Sequence, residues 1–423
     1  MLFSFAFLSR LAQVAELPKI YLLSNMTKTK WWQPPRRFDD RRNERKISWL
    51  ELFYDLVYVA CIGQITSYVA THAEIKDISY AVLLFAFVYW SWINGTQYYE
   101  LHGDDTVRAR WFVFLQMLGI GAVAISAAAA FRGQTAGFTI SFLVIQGVMI
   151  YLLGSVSFYD RSHFRLSRPF LIYYGIAFAL LFISLFTPHV AILPLYLVAI
   201  SLNMAAPVLS GGHFKKTLAT RGQEFSASTT LVERFGQFTI IVLTESILST
   251  VSGISLVFMK NMLVWAVFGL CLGIAFLLWS IYFDMTNDQD LKPGFRNYQV
   301  FVFTHLVLLA ALAIFGACLK NLVANITMPA SLALVRTICF CMAAFLAAIC
   351  VIGRLIVGYD LQTVNYLRQV IRLNAVVALL FVAAAFLLNG TSVLILLLVI
   401  FWLLAAPVVV GIVTWLKHEN NPE

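Results

Sequence analysis

Twelve apolar runs of about 20 residues constrain the fold of this chain more than any other feature. A run of that length crosses the hydrocarbon core of a bilayer as an α-helix, which satisfies its own backbone hydrogen bonds there. The chain is 61% hydrophobic and 12% charged, whereas a soluble domain is about 25% charged. The predicted fold class is therefore an all-α integral membrane protein. The predicted spans are 48–70, 76–98, 110–131, 138–157, 168–187, 190–210, 229–252, 261–283, 298–319, 329–353, 366–388 and 391–416.

The lysine and arginine residues are distributed very unevenly between the two faces of such a bundle. Of the 30, 24 fall on the face that carries both termini, four on the opposite face and two within spans. We call the first the basic face. The positive-inside rule predicts that it is cytoplasmic, with both termini inside and the chain in the plasma (inner) membrane. Orientation and contact with anionic lipid account for the net charge of +9, so the lipid bilayer is the expected partner and nucleic acid is not.

The two halves of the sequence resemble each other. The segment 112-FVFLQMLGIGAVAI-125 aligns without gaps to 301-FVFTHLVLLAALAI-314, and 50-LELFYDLVYVACIGQI-65 aligns to 232-VERFGQFTIIVLTESI-247. A duplication would give two parallel six-helix repeats related by a pseudo-twofold axis along the membrane normal. The predicted parts are a cytoplasmic N-terminal segment 1–47 (an interfacial helix or disordered lead-in, then a basic linker), a first repeat 48–210, a cytoplasmic linker 211–228, a second repeat 229–416 and a cytoplasmic tail 417–423.

The segments 49-WLELFYDLVYVACIGQ-64 and 231-LVERFGQFTIIVLTESIL-248 closely resemble the signatures of the low-temperature-requirement protein A (LtrA) family. The segment FVFTH, which contains His305, fits the same pattern, and the resemblance covers residues 45–415. One departure is 244-TES-246, where the family pattern has a Gly before the Glu. The resemblance implies a multi-span membrane protein of a family linked by name to growth in the cold. It implies no biochemical mechanism.

Two carboxylates stand four residues apart on the first span. Glu51 and Asp55 share one helix face, one turn apart, and they repel each other when both are ionised. This arrangement favours a proton or a metal ion bound between them. The alternative is that both lie at the cytoplasmic rim, where they cap helices or pair with Arg42, Arg45 or Lys46.

The seventh span carries a second group of charges. Glu233 and Arg234 are adjacent and point about 100° apart, so each is expected to pair with another helix. Arg234 can neutralise Glu51 or Asp55, either as a structural ion pair between the halves or as part of a substrate site. In the duplication Glu51 and Glu233 occupy equivalent depths, and we expect them to face each other or two matching cavities.

Deeper polar groups suggest a path through the membrane. Glu245 lies about 18 Å beyond Glu233 along the helix, where a carboxylate is either protonated and hydrogen-bonded or lines a polar path. His305, on the ninth span, can titrate near neutral pH or bind a metal, and Gln116 is its repeat mate. A lone histidine in a bundle is also commonly a satisfied structural residue.

Two further residues complete the set of candidates. Asn94 lies in the aromatic-rich stretch 90-WSWINGTQYYE-100, which fits either an interface belt or a substrate-facing wall. Arg336, on the tenth span, is a candidate partner of Glu245; the alternative is a structural residue satisfied within the bundle.

Together these residues favour a transporter-like or channel-like protein that handles protons, cations or a small solute between its two repeats. Two alternatives stay open: a membrane-embedded enzyme acting on a lipid or isoprenoid, and a structural or stress-response membrane protein. The sequence has no GxxxxGK[ST] motif for an ATP-driven pump and no HExxH or GxSxG motif for a protease or lipase. It identifies no cofactor, metal, substrate or oligomeric state.

Overall fold

The computed structural model describes residues 35–36, 47–72, 74–103, 106–159, 161–219, 225–287, 289–358 and 361–419. Within these ranges it contains twelve helices that are long and apolar enough to cross a membrane, which confirms the predicted fold class. The helices are α1 (Trp49–Thr71), α2 (Ile75–His102), α3 (Val107–Phe131), α4 (Ala136–Tyr159), α5 (Arg161–Ser184), α6 (His189–Ala219), α7 (Thr229–Ser255), α8 (Met262–Thr286), α9 (Phe295–Ala324), α10 (Leu332–Leu355), α11 (Leu361–Leu387) and α12 (Val393–Glu419). Most of the predicted N-terminal segment 1–47 lies outside the described residues.

Polar caps and short connections define the helix ends. The side chains of Ser48, Thr106, Ser228 and Ser331 each accept a hydrogen bond from a backbone N–H in the first turn of the helix that follows. Such caps satisfy N–H groups that have no partner within the helix. Some helices run beyond the predicted spans, most clearly α6 and α9, because helical hydrogen bonding continues into polar turns outside the apolar run.

The packing of the first six helices is repeated in the second six. α1 packs against α3 as α7 packs against α9; the pairs α3–α4, α4–α5 and α2–α4 are likewise matched by α9–α10, α10–α11 and α8–α10. This correspondence supports the two-repeat arrangement, which stays a prediction. The contacts between the two halves are not symmetric. α1 packs extensively against α9, whereas its counterpart α7 has little contact with α3.

Small residues allow α7 and α9 to approach closely. A Cβ atom added at Gly253 would lie 2.7 Å from the backbone oxygen of Lys320, and one added at Gly316 would lie 3.2 Å from Cα of Ser246. Membrane helices use such residues because lipid supplies no hydrophobic driving force for helix association, so close backbone packing has to contribute instead.

Substitution of Gly253 by Val should destabilise the protein by about 1–3 kcal/mol, because the added methyl groups overlap the α9 backbone. Gly269→Val is the matched control, since a Cβ at Gly269 on α8 meets no atom within 4 Å. Thermal unfolding in detergent, followed by tryptophan fluorescence, measures the difference. Equal melting temperatures for the two variants would contradict the assigned α7–α9 contact.

Candidate functional site

A buried cluster of three charged groups joins α1 to α7. Arg234 Nη1 lies 3.2 Å from Glu51 Oε2, and Arg234 Nη2 lies 3.2 Å from Asp55 Oδ1. All three side chains are almost completely buried. We call Glu51, Asp55 and Arg234 the ion cluster. The ion pair between the halves that the sequence suggested is therefore present, and Arg234 pairs with both carboxylates of α1.

Other polar groups fix the geometry of the ion cluster. Trp92 Nε1 donates a hydrogen bond of 2.7 Å to Asp55 Oδ1, and Ser48 Oγ donates one of 3.0 Å to Glu51 Oε1. The guanidinium carbon of Arg234 lies 5.8 Å from the centre of the Tyr54 ring, within cation–π range. Buried charges are tolerated when they are paired and hydrogen-bonded in this way.

The charges of the ion cluster do not balance. Two carboxylates face one guanidinium, so these three groups together carry one negative charge when all are ionised. Glu51 also has an interaction outside the ion cluster. Asp55 Oδ2 is buried and has no hydrogen-bond partner within the described residues. Because an unpaired buried charge is expensive, this oxygen is the natural position in the ion cluster for a proton or a cation.

Gln116 belongs to a packed polar core next to the ion cluster. Tyr54 Oη donates to Tyr58 Oη at 2.8 Å. A Cβ added at Gly95 would lie 2.2 Å from Tyr54 Oη and 3.5 Å from Gln116 Oε1. The amide nitrogen of Gln116 lies 3.0 Å from Met149 Sδ. The absence of a side chain at Gly95 makes room for the Tyr54 hydroxyl.

The expectation that Glu51 and Glu233 face each other or two matching cavities is wrong. Glu51 is buried in the ion cluster, whereas Glu233 is exposed on the outer surface of the bundle. Adjacent residues on a helix point about 100° apart, so only one of Glu233 and Arg234 can face α1. The two carboxylates on α1 favour the arginine in that position.

Glu245 lies between α7 and α1, and its side chain is half-buried. Its Oε1 accepts a hydrogen bond of 3.3 Å from Ser249 Oγ. A Cβ added at Gly63 would lie 3.1 Å from Glu245 Oε2, so Gly63 provides the space for the carboxylate. Gly63 is also the residue that aligns with Glu245 in the predicted duplication.

The predicted pairing of Arg336 with Glu245 is wrong. Arg336 is exposed, and its guanidinium carbon lies 5.5 Å from the ring centre of Phe386 on α11. The reason is helix order, because α10 packs against α8, α9 and α11 and has little contact with α7.

His305 is held in a closed aromatic environment. Its Nδ1 lies 2.9 Å from the Phe301 carbonyl oxygen and must donate to it, since a carbonyl only accepts. In the neutral ring Nε2 then accepts from Tyr282 Oη at 3.0 Å. Both ring nitrogens therefore have protein partners. No group of three or more His, Cys, Asp or Glu side chains in the described part of the chain has the arrangement of a metal site.

A cavity of about 610 Å³ lies at the basic face, between the two halves. It is lined by the C-terminal parts of α2, α4 and α6 and by the N-terminal parts of α5, α7 and α9. The connections 225–228 and 290–293, with Arg36 and Val357, complete the wall. Asn94 lies in its wall, about 12 Å from the end of α2, and its Oδ1 accepts a hydrogen bond of 2.7 Å from Tyr174 Oη. Gln97 donates to Tyr298 Oη at 2.9 Å across the boundary between the halves.

Of the nine residues predicted from the sequence, only Asn94 lines this cavity. Glu51, Asp55 and Arg234 form the ion cluster, and the others lie elsewhere. Sequence analysis missed the rest of the polar wall, including Gln97, Tyr174, Tyr298 and Gln299. The stretch 90-WSWINGTQYYE-100 contained a usable signal, because two amides, Asn94 and Gln97, lie among aromatic residues there.

Removal of one partner from the ion cluster should be far more damaging than removal of all three. Arg234→Met leaves two buried carboxylates without a cation and should cost about 3–5 kcal/mol. The triple variant Glu51→Leu, Asp55→Leu, Arg234→Met replaces the cluster by apolar groups and should recover most of that loss. Thermal unfolding in detergent compares the two, and a triple variant no more stable than Arg234→Met would refute a mainly structural ion pair.

The comparisons with known proteins agree with this architecture. The model of the family described as "Bacterial low temperature requirement A protein (LtrA)" matches residues 46–413. A protein of Rhizobium meliloti (strain 1021), described as uncharacterized, is 26% identical over 296 residues, which cover 63% of this chain and 67% of that protein. The family match includes all twelve helices, from the ion cluster of α1 and α7 to most of α12, and the chain therefore belongs to the LtrA family.

Proposed function

We propose that this protein moves a small solute across the plasma membrane through the cavity between its two halves. The cavity itself is the observation that carries the proposal. Its volume falls in the range of about 300–1,000 Å³ that is typical of small-molecule sites. It opens at the face that the positive-inside rule assigns to the cytoplasm, and transporters built from repeats bind their solutes at the boundary between those repeats.

The lining of the cavity favours a solute recognised by hydrogen bonds. Its wall contains the amides Asn94, Gln97 and Gln299 and the hydroxyls of Tyr98 and Tyr174. Aromatic rings lie between these groups. The charged residues Arg36, Glu100 and Asp290 also line the cavity, so its wall can hold a polar group, charged or uncharged.

Glu245 and Asp55 are the proposed sites of proton or cation handling. Glu245 lies beyond the middle of α7 with one side-chain hydrogen bond, from Ser249. Asp55 has one carboxylate oxygen without a partner among the described residues. Carboxyl groups buried inside the bundle are costly to keep ionised, and in transporters they commonly bind protons or ions. His305, Gln116 and Arg336 have no part in this proposal.

A membrane-embedded enzyme that acts on a lipid or isoprenoid is the second candidate. One observation favours it, namely that the cavity adjoins a groove open to the bilayer between α6, α9 and α10. An enzyme would change the covalent structure of an added lipid, whereas a transporter would leave it intact. Mass spectrometry of the lipids after incubation with the purified protein separates these two functions.

Proton movement should depend on Glu245 and not on Glu233. In proteoliposomes of bacterial lipid extract, with a potassium gradient and valinomycin setting the potential, an internal pH dye reports the flux. Glu245→Gln should lower the proton flux by about tenfold or more. A tenfold drop corresponds to an increase of about 1.4 kcal/mol in the activation free energy of proton transfer. Glu233→Gln is the matched control on the same helix, because Glu233 is exposed. Equal flux in the two variants would remove Glu245 from the mechanism.

The cavity should be open to water from the cytoplasm. All six native cysteines are free and buried, so their background labelling is low. Asn94→Cys should react with a membrane-impermeant maleimide in inside-out vesicles and react much more slowly in right-side-out vesicles. Thr96→Cys is the control, because Thr96 is fully buried two residues further along α2 and does not line the cavity. The reverse sidedness would overturn the proposed orientation, and no labelling from either side would overturn the open cavity.

A further inference from the structure

A second concave surface lies directly beside the cavity. It is an apolar groove of about 1100 Å³ between α6 of the first half and α9 and α10 of the second. We call it the lateral groove. Val208, Val300, Val307 and Ala347 are among its lining residues and are exposed on the outer surface of the bundle, which faces lipid in a membrane protein.

The lateral groove and the cavity meet. Phe225, Phe295, Gln299 and Phe303 line both of them. Gly211 stands at this junction: a Cβ added there would lie 3.0 Å from the Phe295 ring and 3.8 Å from Gln299 Nε2. Any side chain at this position would narrow the passage, and the glycine leaves it open.

The polar groups of the lateral groove lie at its end near the basic face. Gln299 Nε2 is buried and has no hydrogen-bond partner within the described residues. Arg296 is exposed at the mouth, one turn closer to the basic face. From Arg296 to Val307 the groove follows α9 for about 16 Å, roughly half of the bilayer's hydrocarbon thickness. An occupant therefore meets an unsatisfied donor and a positive charge at one end. Toward the other end the surface is apolar apart from Thr304, whose hydroxyl donates to the Val300 carbonyl oxygen at 2.7 Å.

We propose that the solute of this protein is a membrane amphiphile that enters sideways from the bilayer. Its acyl chain lies in the lateral groove, and its head group, rich in hydrogen-bond acceptors, passes Gln299 into the cavity beside Asn94. This inference rests on the proposed function, because it assigns the chemical class of the transported molecule. The observation that supports this inference is that an apolar groove is continuous with a polar cavity, since one amphiphilic molecule complements both surfaces at once. In addition, Arg296 complements an anionic phosphate at the depth of the lipid head groups.

Photo-crosslinking of the full chain in nanodiscs tests the proposal. The probe is a phosphatidylglycerol analogue with a diazirine in its acyl chain, and peptide mass spectrometry locates the adducts. In the wild type we expect adducts concentrated on the groove-lining parts of α6 and α10, around 208–212 and 344–351. Ala347→Phe fills the groove from an exposed position and should lower these adducts by about tenfold.

Ala333→Phe is the matched control. Ala333 is also exposed on α10, 14 residues away and so about four turns along nearly the same side, and it does not line the groove. The proposal would be overturned if adducts are spread evenly over all lipid-facing helices and their number is the same in the two variants. That result would show only annular lipid, the lipid that surrounds any membrane protein. In a separate reaction with a protein–protein cross-linker, a link from the groove to residues 1–34 or to a second copy of the chain would identify another occupant and would also overturn the proposal.

A second measurement follows the head group. Unlabelled phosphatidylglycerol added to nanodiscs of a zwitterionic lipid should slow maleimide labelling of Asn94→Cys, and Gln299→Leu should weaken this protection. Groove adducts without protection would refute passage of the head group into the cavity. If the Glu245-dependent proton flux is unchanged in Ala347→Phe, the lateral route is refuted. The proposed transport itself is not. Groove adducts and protection without any Glu245-dependent flux would refute proton coupling and support amphiphile binding alone.

Discussion

The arrangement of the two halves depends on one interaction, the pairing of Arg234 on α7 with Glu51 and Asp55 on α1. In a bilayer, apolar contacts distinguish poorly between protein and lipid neighbours, so many registers between two helices have similar free energies. A buried guanidinium that must lie within about 3 Å of two carboxylates permits very few of them. The position of α7 relative to α1 then fixes α9 and, through α9, the walls of the cavity.

The cavity exists because the two halves are in closer contact at some places than at others. α9 packs against α7 within its own half and also against α1 of the other. Near the basic face, however, its first turns reach α2 mainly through polar and aromatic side chains, such as the Gln97–Tyr298 hydrogen bond and the stacked rings of Trp90 and Phe303. Side-chain contacts of this kind separate the backbones and leave room for an occupant. The halves are therefore held tightly at the ion cluster and more loosely where the cavity opens.

The sequence predicted the fold because a single length scale, the thickness of the bilayer, determines where helices occur. It also suggested the pairing of Arg234, because a buried charge needs a partner and few were available. It failed at Arg336, since the order of helices around the bundle is absent from the local pattern. It also failed at Glu233, since the adjacent Arg234 takes the position facing α1. The cavity lay beyond prediction because its wall combines residues from six helices and from several connections.

Gly63 and Glu245 align with each other in the predicted duplication, and in the folded chain they lie in contact. Equivalent positions meet in this way only close to the rotation axis. In an ancestral pair of identical six-helix subunits, a carboxylate there would have faced its own copy at a distance where both could not stay ionised. Fusion of the two genes would have removed that restriction, since one copy could lose its side chain while the other kept the acid. A single acidic group on the axis is thus an option open to a fused chain and closed to a symmetric dimer.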